Sequence, residues 1–180
     1  TVKHFLGDGG TIGGDDQGNN IASDKELFEV HAQGYVGGLA AGAQTVMASF
    51  NSWHGKKNHG NKYLLTNVLK ERMGFDGLVV GDWNGHGQIA GCTNDKCSQT
   101  INAGLDIFMV PTDSWKPLFE NTIAQVERGE ISLERIDDAV SRILRVKIRA
   151  GLFEKPSPAN RKLSGKIELI GSKEHRKIAR

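Results

Sequence analysis

The sequence predicts an α/β fold in which parallel strands alternate with helices, and three observations carry this prediction. Four short apolar runs, each followed by Gly, Asn or Pro, lie at residues 2–6, 45–50, 77–80 and 105–110. Residues 79–80 and 107–110, within the last two runs, are continuously apolar rather than alternating, which is typical of strands buried on both faces of a parallel sheet. Helical patterns fall between and after the runs. Such alternation indicates a parallel sheet with right-handed crossovers.

The helices are predicted from their ends and their apolar periodicity. Ser23-Asp24-Lys25-Glu26 is a capping box, in which the Ser and Glu side chains satisfy free backbone N–H groups, and it opens a helix toward Ala41. Gly74 ends a second helix in the usual C-terminal position. A helical apolar stripe precedes Gly151. The predicted helices after the first cover residues 61–73, 99–103, 115–128 and 133–150.

Four β-loop-α units leave two architectures open. A complete (β/α)₈ barrel needs about 250 residues, so the chain is either half of such a barrel or a small open α/β sheet. The Pro- and Ser-containing stretch 154–166 is typical of a linker, and a further helix begins at 172. We therefore expect a partial barrel over 1–153 and, over 154–180, a linker that starts the connection to a missing second domain. The chain is expected to be truncated at both ends.

Composition excludes several classes of partner. The 23 Lys and Arg residues against 21 Asp and Glu residues give a net charge of +2, too small a field to recruit nucleic acid or an anionic membrane. No stretch approaches the ~20 apolar residues that span a bilayer. Cys92 and Cys97 lie in one Gly/Asn-rich loop, where either a local disulfide or two free thiols would fit. A disulfide would weakly favour a periplasmic or secreted protein.

The active site of a parallel α/β fold lies on the loops that follow the carboxyl ends of the strands. Asp82 follows the third run after a single glycine, so its carboxylate is predicted at the mouth of the sheet on a rigid element. A retaining glycosidase needs such a carboxylate to attack the anomeric carbon. The alternative is that Asp82 merely caps the turn after a strand. Spacing alone does not decide between the two.

Other residues at the strand ends fit a sugar site less specifically. Trp83 and Trp53 offer flat apolar faces to a sugar ring, although aromatic residues at such positions often only pack. Lys3 and His4 supply hydrogen-bond donors, and a lysine beside a buried strand is costly without a partner. His59, like His54, is expected to be an ordinary loop residue. The glycine-rich stretch 7–14 lacks the Gly-Lys-Ser/Thr ending of a phosphate loop, so a phosphate-binding domain is a weak third hypothesis.

Several ordered motifs then resemble glycoside hydrolase family 3. They are KHFLGDGGT at 3–11, VMASFNSW at 46–53, MGFDGLVVGDW at 73–83, AGLDIFMVP at 103–111 and RIDDAVSRIL at 135–144. The resemblance runs over nearly the whole chain. It is strongest to the exo-acting β-glucan glucohydrolases and β-glucosidases of that family, which act on β-glucans or β-gluco-oligosaccharides.

This resemblance implies an α/β fold that is the C-terminal half of a (β/α)₈ barrel, in an enzyme without metal or organic cofactor. It makes Asp82 the nucleophile of a retaining β-glycosidase. Lys3 and His4 would bind the glycosyl unit that is cleaved, and Trp83 would form one side of a clamp on the neighbouring sugar. Met47 and Phe50 would line the pocket. Unusual cis peptide bonds are expected around the Lys-His-Phe motif.

The departures from the family pattern bear on specificity and on catalysis. Phe50 stands where many relatives have Tyr, and Gln88 and Gln17 stand where plant relatives have charged residues, so binding of the outer sugar units is expected to differ. The loop 11–18 lacks the His of the β-N-acetylhexosaminidase branch, which argues against that alternative. The general acid/base Glu of the glucosidase branch comes from a second domain, so the isolated chain is expected to be inactive. A non-catalytic sugar-binding fragment is the rival hypothesis.

Overall fold

The computed structural model describes all 180 residues, which form two compact units, Thr1–Val146 and Lys147–Arg180. The first unit contains a parallel sheet of β1 (Val2–Phe5), β3 (Thr45–Ala48) and β6 (Leu78–Val80), hydrogen-bonded in that order. A second small sheet joins β2 (Asn19–Asn20), β4 (Ser52–Trp53) and β5 (Lys56–Lys57). β2 and β4 are parallel, whereas β4 and β5 form a tight antiparallel hairpin.

The register of the main sheet separates a covered face from an open one. Val46 pairs with Val79, and both side chains are fully buried. Met47 pairs with Val80 on the opposite face, where both are only half-buried. Because paired residues of neighbouring strands point to the same face, the sheet buries one side completely and leaves the other side partly open. Because this parallel sheet alternates with helices along the chain, the class of the fold is α/β, as predicted.

The predicted helices are present, with small shifts at their ends. The first begins as α1 (Asp24–Glu26), where the Ser23 hydroxyl accepts the Glu26 N–H at 3.3 Å. It widens into a π-helical turn, Leu27–His31, and continues as α2 (Gln33–Ala40). The remaining helices are a π-type helix, Tyr63–Arg72, α3 (Ser98–Ala103), α4 (Trp115–Glu127), α5 (Leu133–Arg149) and α6 (Lys173–Ala179). None of these helices has the length and apolar content needed to cross a membrane.

The core lies between the covered face of the sheet and the helices. Phe5 of β1 and Tyr35 of α2 meet edge to face, with ring centroids 5.0 Å apart. The π-type helix contributes three of the largest buried side chains, Leu64, Leu65 and Leu69. Burying a large apolar side chain stabilises the fold by about 1.5–3 kcal/mol. The helix that Gly74 was predicted to end therefore contributes a large part of the core.

The fourth predicted strand, 105–110, does not form. Its β-pairing is limited to one bridge, between Ile107 and Val80. The reason lies in Asp106, whose carboxylate accepts the Val79 N–H at 2.8 Å and so replaces a ladder bond by a side-chain bond. The sheet consequently has three strands, and half of a barrel is not confirmed.

The second unit consists mainly of turns and α6, and its side chains are largely exposed. Two short 3₁₀ turns, Pro158–Asn160 and Ile167–Leu169, interrupt it. The Ser172 hydroxyl accepts the His175 N–H at the start of α6, at 3.3 Å. The expected boundary between a domain and a linker at 153/154 stays a prediction.

Candidate active site

Asp82 lies two residues beyond β6, and its carboxylate is half-buried, with 19% of the side chain exposed. Oδ1 accepts the N–H of Trp83 at 2.7 Å, and the Asp82 carbonyl accepts the N–H of Gly85 at 3.0 Å. The following helical turn, Gly85–Gln88, has Asn84 as its N-cap residue. Asp82 therefore shapes a turn through its main chain, and its side chain does not cap a helix.

The main chain of Asp82 is also bound by a histidine that is distant in sequence. The N–H of Asp82 donates to Nε2 of His59 at 2.9 Å. The His59 ring is 1% exposed. Burial lowers the pKa of His59 to about 4, and the nearby Asp82 carboxylate opposes this shift. The ring is thus neutral at pH 7, with its proton on Nδ1, and Nε2 is free to accept.

The expectation that His59 is an ordinary loop residue is therefore wrong. It lies in a buried 3₁₀ turn, Asn58–Gly60, ahead of the π-type helix. The Thr100 hydroxyl donates to its carbonyl oxygen at 2.6 Å, and the Phe50 ring packs beside its ring, with centroids 5.7 Å apart. No motif within a few residues of His59 indicates its contact with Asp82.

His4 stands between two carboxylates. Its Nε2 lies 3.5 Å from Oδ2 of Asp82, and its Nδ1 lies 3.4 Å from Oδ2 of Asp8. The adjoining Lys3–His4 and Phe5–Leu6 peptide bonds are cis, as the motif led us to expect. The Lys3 side chain is exposed, so the cost of placing a lysine beside a buried strand does not arise here.

Two further predicted residues belong to β3 and to the loop that follows it. Met47 and Phe50 are both half-buried at the end of β3. The carbonyl oxygen of Phe50 accepts from Nζ of Lys57 at 3.0 Å, and that ammonium also donates to the Gln17 carbonyl at 3.0 Å. Burial lowers the pKa of Lys57, while Asp16 acts in the opposite direction. Lys57 therefore joins the loop after β3 to the loop 11–18.

The two tryptophans behave differently. Trp83 is 58% exposed beside Asp82, so its indole face is open to a ligand. Trp53 is buried, stacks on Tyr63 with centroids 6.1 Å apart and donates its indole N–H to the Ala22 carbonyl at 2.9 Å. Trp53 thus packs within the fold. Gln88 is exposed, and its amide donates to the Gln17 side chain at 2.6 Å.

Cys92 and Cys97 form a disulfide, which decides between the two alternatives for these residues. It closes the loop that follows Gln88. Inside that loop the Asn94 carbonyl accepts from Nε2 of His86 at 2.9 Å, and the His86 ring meets Phe108 edge to face. Burial lowers the pKa of His86. The loop after β6 is therefore held by one covalent bond and one buried histidine.

The glycine-rich segment is a packing element. Asn20 donates its side-chain amide to the Gly7 carbonyl at 2.9 Å. A Cβ on Gly10 would lie 2.5 Å from both the Asn20 amide nitrogen and the His31 ring, so only glycine fits there. Its backbone is thus packed against side chains. No group of three or more His, Cys, Asp or Glu residues is arranged to hold a metal ion.

A family model described as the glycosyl hydrolase family 3 N terminal domain matches residues 1–146. A β-glucosidase of Rhizobium radiobacter is 33% identical over 86% of this chain, and the match covers 18% of that protein. A periplasmic β-glucosidase of Salmonella typhimurium is 32% identical over 100% of this chain and 24% of its own length.

Solved structures are similar as well. The exo-1,3/1,4-β-glucanase of a Pseudoalteromonas species superposes with a TM-score of 0.95 and 50% identity, over 98% of this chain and 22% of that one. A β-glucosidase of Listeria innocua in complex with isofagomine superposes with a TM-score of 0.84 and 28% identity, over 99% of this chain and 25% of that one. The chain thus spans about a quarter or less of the length of these relatives.

Proposed function

This chain belongs to glycosyl hydrolase family 3, and we propose that the whole protein is a retaining, exo-acting β-glucosidase or β-glucan glucohydrolase. The observation that carries the proposal is the arrangement of Asp82. Its carboxylate is half-buried at the end of a buried strand, one oxygen is bound by the Trp83 N–H, and the other faces His4. A carboxylate held in one orientation at the mouth of a sheet suits attack on an anomeric carbon.

The first step forms a covalent glycosyl-enzyme ester. Because Oδ1 is bound to Trp83, Oδ2 is the oxygen that attacks C1 of the terminal glucosyl unit. The Oδ2–C1 bond forms as the bond from C1 to the leaving oxygen breaks, and a general acid protonates that oxygen. Water, deprotonated by the same group, then attacks C1 from the opposite face and releases β-glucose and the Asp82 carboxylate.

The remaining predicted residues bind the substrate around this carbon. His4, beside Oδ2, and Lys3, on the same strand, donate to the hydroxyl groups of the glucosyl unit. Met47 and Phe50 form the apolar wall of the pocket. The exposed indole of Trp83 stacks against the next sugar. Gln88, joined to Gln17, contributes amide groups for sugar units further from the bond that is cleaved.

The general acid/base is proposed to be a Glu outside these 180 residues. The support is that relatives with matching segments are about four times longer or more, as the 24% and 18% coverages indicate. In this proposal residues 1–153 form part of a barrel-like catalytic domain and 154–180 begin the connection to the second domain. The disulfide and the periplasmic relatives favour a periplasmic or secreted protein.

The test is covalent trapping of the whole protein with a 2-fluoro-β-glucoside that carries a good leaving group. The expected result is one glucosyl label, recovered on the peptide that contains Asp82. Label on a peptide without Asp82 would refute the assignment. A matching 2-fluoro-β-xyloside tests the sugar, because it is expected to label the same peptide more slowly.

The rival candidate, a non-catalytic sugar-binding fragment, concerns the isolated 180 residues. It is favoured by the small share of each relative that the chain spans. Loss of a general acid/base lowers the rate by about 10²–10⁴, so the purified segment is expected to hydrolyse a chromogenic β-glucoside weakly or not at all. Robust hydrolysis by that segment would place the acid/base within it.

A further inference from the structure

We propose that His59 is a positioning residue for the reaction of Asp82, acting by accepting the Asp82 N–H with Nε2. The inference rests on the proposed function of Asp82. His59 itself is buried behind the turn, so it does not touch the substrate and has no catalytic role of its own.

The contact is direct and geometrically well formed. Nε2 of His59 lies 2.9 Å from the Asp82 nitrogen. Without His59, this part-buried N–H would lose its acceptor beside the attacking carboxylate. A shift of about 1 Å in an attacking group lowers a rate by roughly 10²-fold. The orientation of the carboxylate therefore depends on where Nε2 holds the main chain.

The ring of His59 is itself fixed on several sides. A Cβ added to Gly85 would lie 2.4 Å from Cε1 and Nε2 of the ring, so glycine at this position lets the turn close onto it. Phe50 flanks the ring, and Thr100 holds the His59 carbonyl. A Cβ added to Gly81, just before Asp82, would lie 3.5 Å from the His59 ring. The turn after β6 therefore packs directly against the imidazole of His59.

Burial, more than the charged and titratable neighbours, decides the protonation state of the His59 ring. The groups that act on it are the Asp82 carboxylate, which favours the proton, and His86 and Lys57, which disfavour it. Burial outweighs the attraction of Asp82, so the ring stays neutral and Nε2 stays an acceptor at the pH of a working glycosidase. Protonation would convert Nε2 into a donor and break the contact.

Two substitutions in the whole protein separate positioning from mere packing. His59→Leu fills much of the space but removes the acceptor, and His59→Gln places an amide oxygen near the position of Nε2. The rate of labelling by the 2-fluoro-glucoside is expected to fall about 100-fold in His59→Leu, and His59→Gln is expected to recover most of it. Affinity for an unreactive thio-β-glucoside is expected to change less than about threefold in both.

Three results would overturn the proposal. One is labelling of a folded His59→Leu protein at the normal rate. Another is equal impairment of both variants, which would assign His59 to packing alone. The third needs no variant: hydrogen exchange at the Asp82 amide of the unsubstituted protein, resolved with overlapping peptides, is expected to be slow at pH 7, and exchange at the rate of an unstructured peptide would show that the bond is absent.

The peptide that carries the glucosyl label distinguishes failure of this inference from failure of the proposed function. Label on Asp82 with a normal rate in His59→Leu would leave the nucleophile intact and reject only the role of His59. Label elsewhere would reject both.

Discussion

Nζ of Lys70 lies 2.8 Å from Oδ1 of Asp106, in a pair whose side chains are 4% and 0% exposed. Lys70 belongs to the π-type helix, and Asp106 belongs to the segment that bridges β6. Arg135 of α5 contacts the same carboxylate oxygen. The other oxygen accepts the Val79 N–H. One buried carboxylate therefore joins two helices to the strand that ends near Asp82.

Removing one partner of this buried pair is expected to destabilise the protein strongly. Asp106→Asn leaves Lys70 and Arg135 with only the partly exposed Asp138 carboxylate as a shared anion. Breaking a buried ion pair in this way costs about 3–5 kcal/mol. We expect the melting temperature to fall by roughly 5 °C or more. The matched control is Arg128→Gln, which removes an exposed ion pair with Glu130 and should leave the melting temperature nearly unchanged. Equal effects of the two substitutions would contradict this account.

Asp82→Asn is expected to abolish turnover without unfolding the protein. The substitution keeps the shape of the side chain but removes the nucleophilic charge, and loss of a nucleophile lowers kcat on the order of 10⁴-fold or more. Steady-state hydrolysis of an aryl β-glucoside measures the loss, and circular dichroism checks the fold. Asp113→Asn, in an exposed loop, is a control of equal chemistry. Retention of activity by Asp82→Asn would exclude the proposed mechanism.

Stability is expected to fall in acid because of His59. Its folded pKa of about 4 is below the unfolded value of about 6.5, so the native state binds fewer protons in this range. This contribution to the free energy of unfolding is complete above pH 6.5 and is lost as the pH falls toward 4. The total loss of stability is roughly 3 kcal/mol. Melting temperatures from pH 7 to pH 4 should therefore decline less steeply in His59→Gln.

The Cys92–Cys97 disulfide is expected to stabilise the loop after β6. Closing this short loop restricts the unfolded chain and so stabilises the folded protein by about 2 kcal/mol. Cys92→Ser with Cys97→Ser should lower the melting temperature and raise hydrogen exchange around Gln88 and Asn94. Alkylation without reductant, read by mass spectrometry, verifies the bond. Unmodified protein that takes up two alkyl groups under those conditions would disprove it.

Trp83→Ala is expected to weaken substrate binding with little loss of stability. The indole is 58% exposed, so its removal leaves no cavity. Loss of a stacked sugar should raise KM about tenfold for a disaccharide and less for an aryl glucoside. Trp115→Ala is the matched control, since that indole is 60% exposed on α4. A larger rise in KM for Trp115→Ala than for Trp83→Ala would contradict the proposed stacking of a sugar on Trp83.

Features set by local pattern could be predicted from the sequence, and features set by distant contacts could not. Asp82 was predicted because a carboxylate after a continuous apolar run must lie at a strand end. His59 was missed because its contact with Asp82 joins residues 23 apart. The strand at 105–110 was wrongly predicted because the pattern of apolar residues does not show that the Asp106 carboxylate accepts the Val79 N–H, a donor that a paired strand would otherwise bind. The second sheet was missed because its strands have two residues each.

Three hydrogen bonds hold the main chain of the turn that carries Asp82, in addition to the bond that the Asp82 carboxylate accepts from the Trp83 N–H. Besides the bond to His59, the Gly81 N–H donates to the Ile107 carbonyl at 2.8 Å, and the Asn84 N–H donates to the Met109 carbonyl at 2.9 Å. None of these three bonds uses the carboxylate. A small residue at position 82 should therefore preserve the turn and leave room beneath C1 for a fluoride leaving group. With α-glucosyl fluoride as donor, such a variant is expected to build β-glucosidic bonds that it can no longer cleave, which would make the scaffold a starting point for oligosaccharide synthesis.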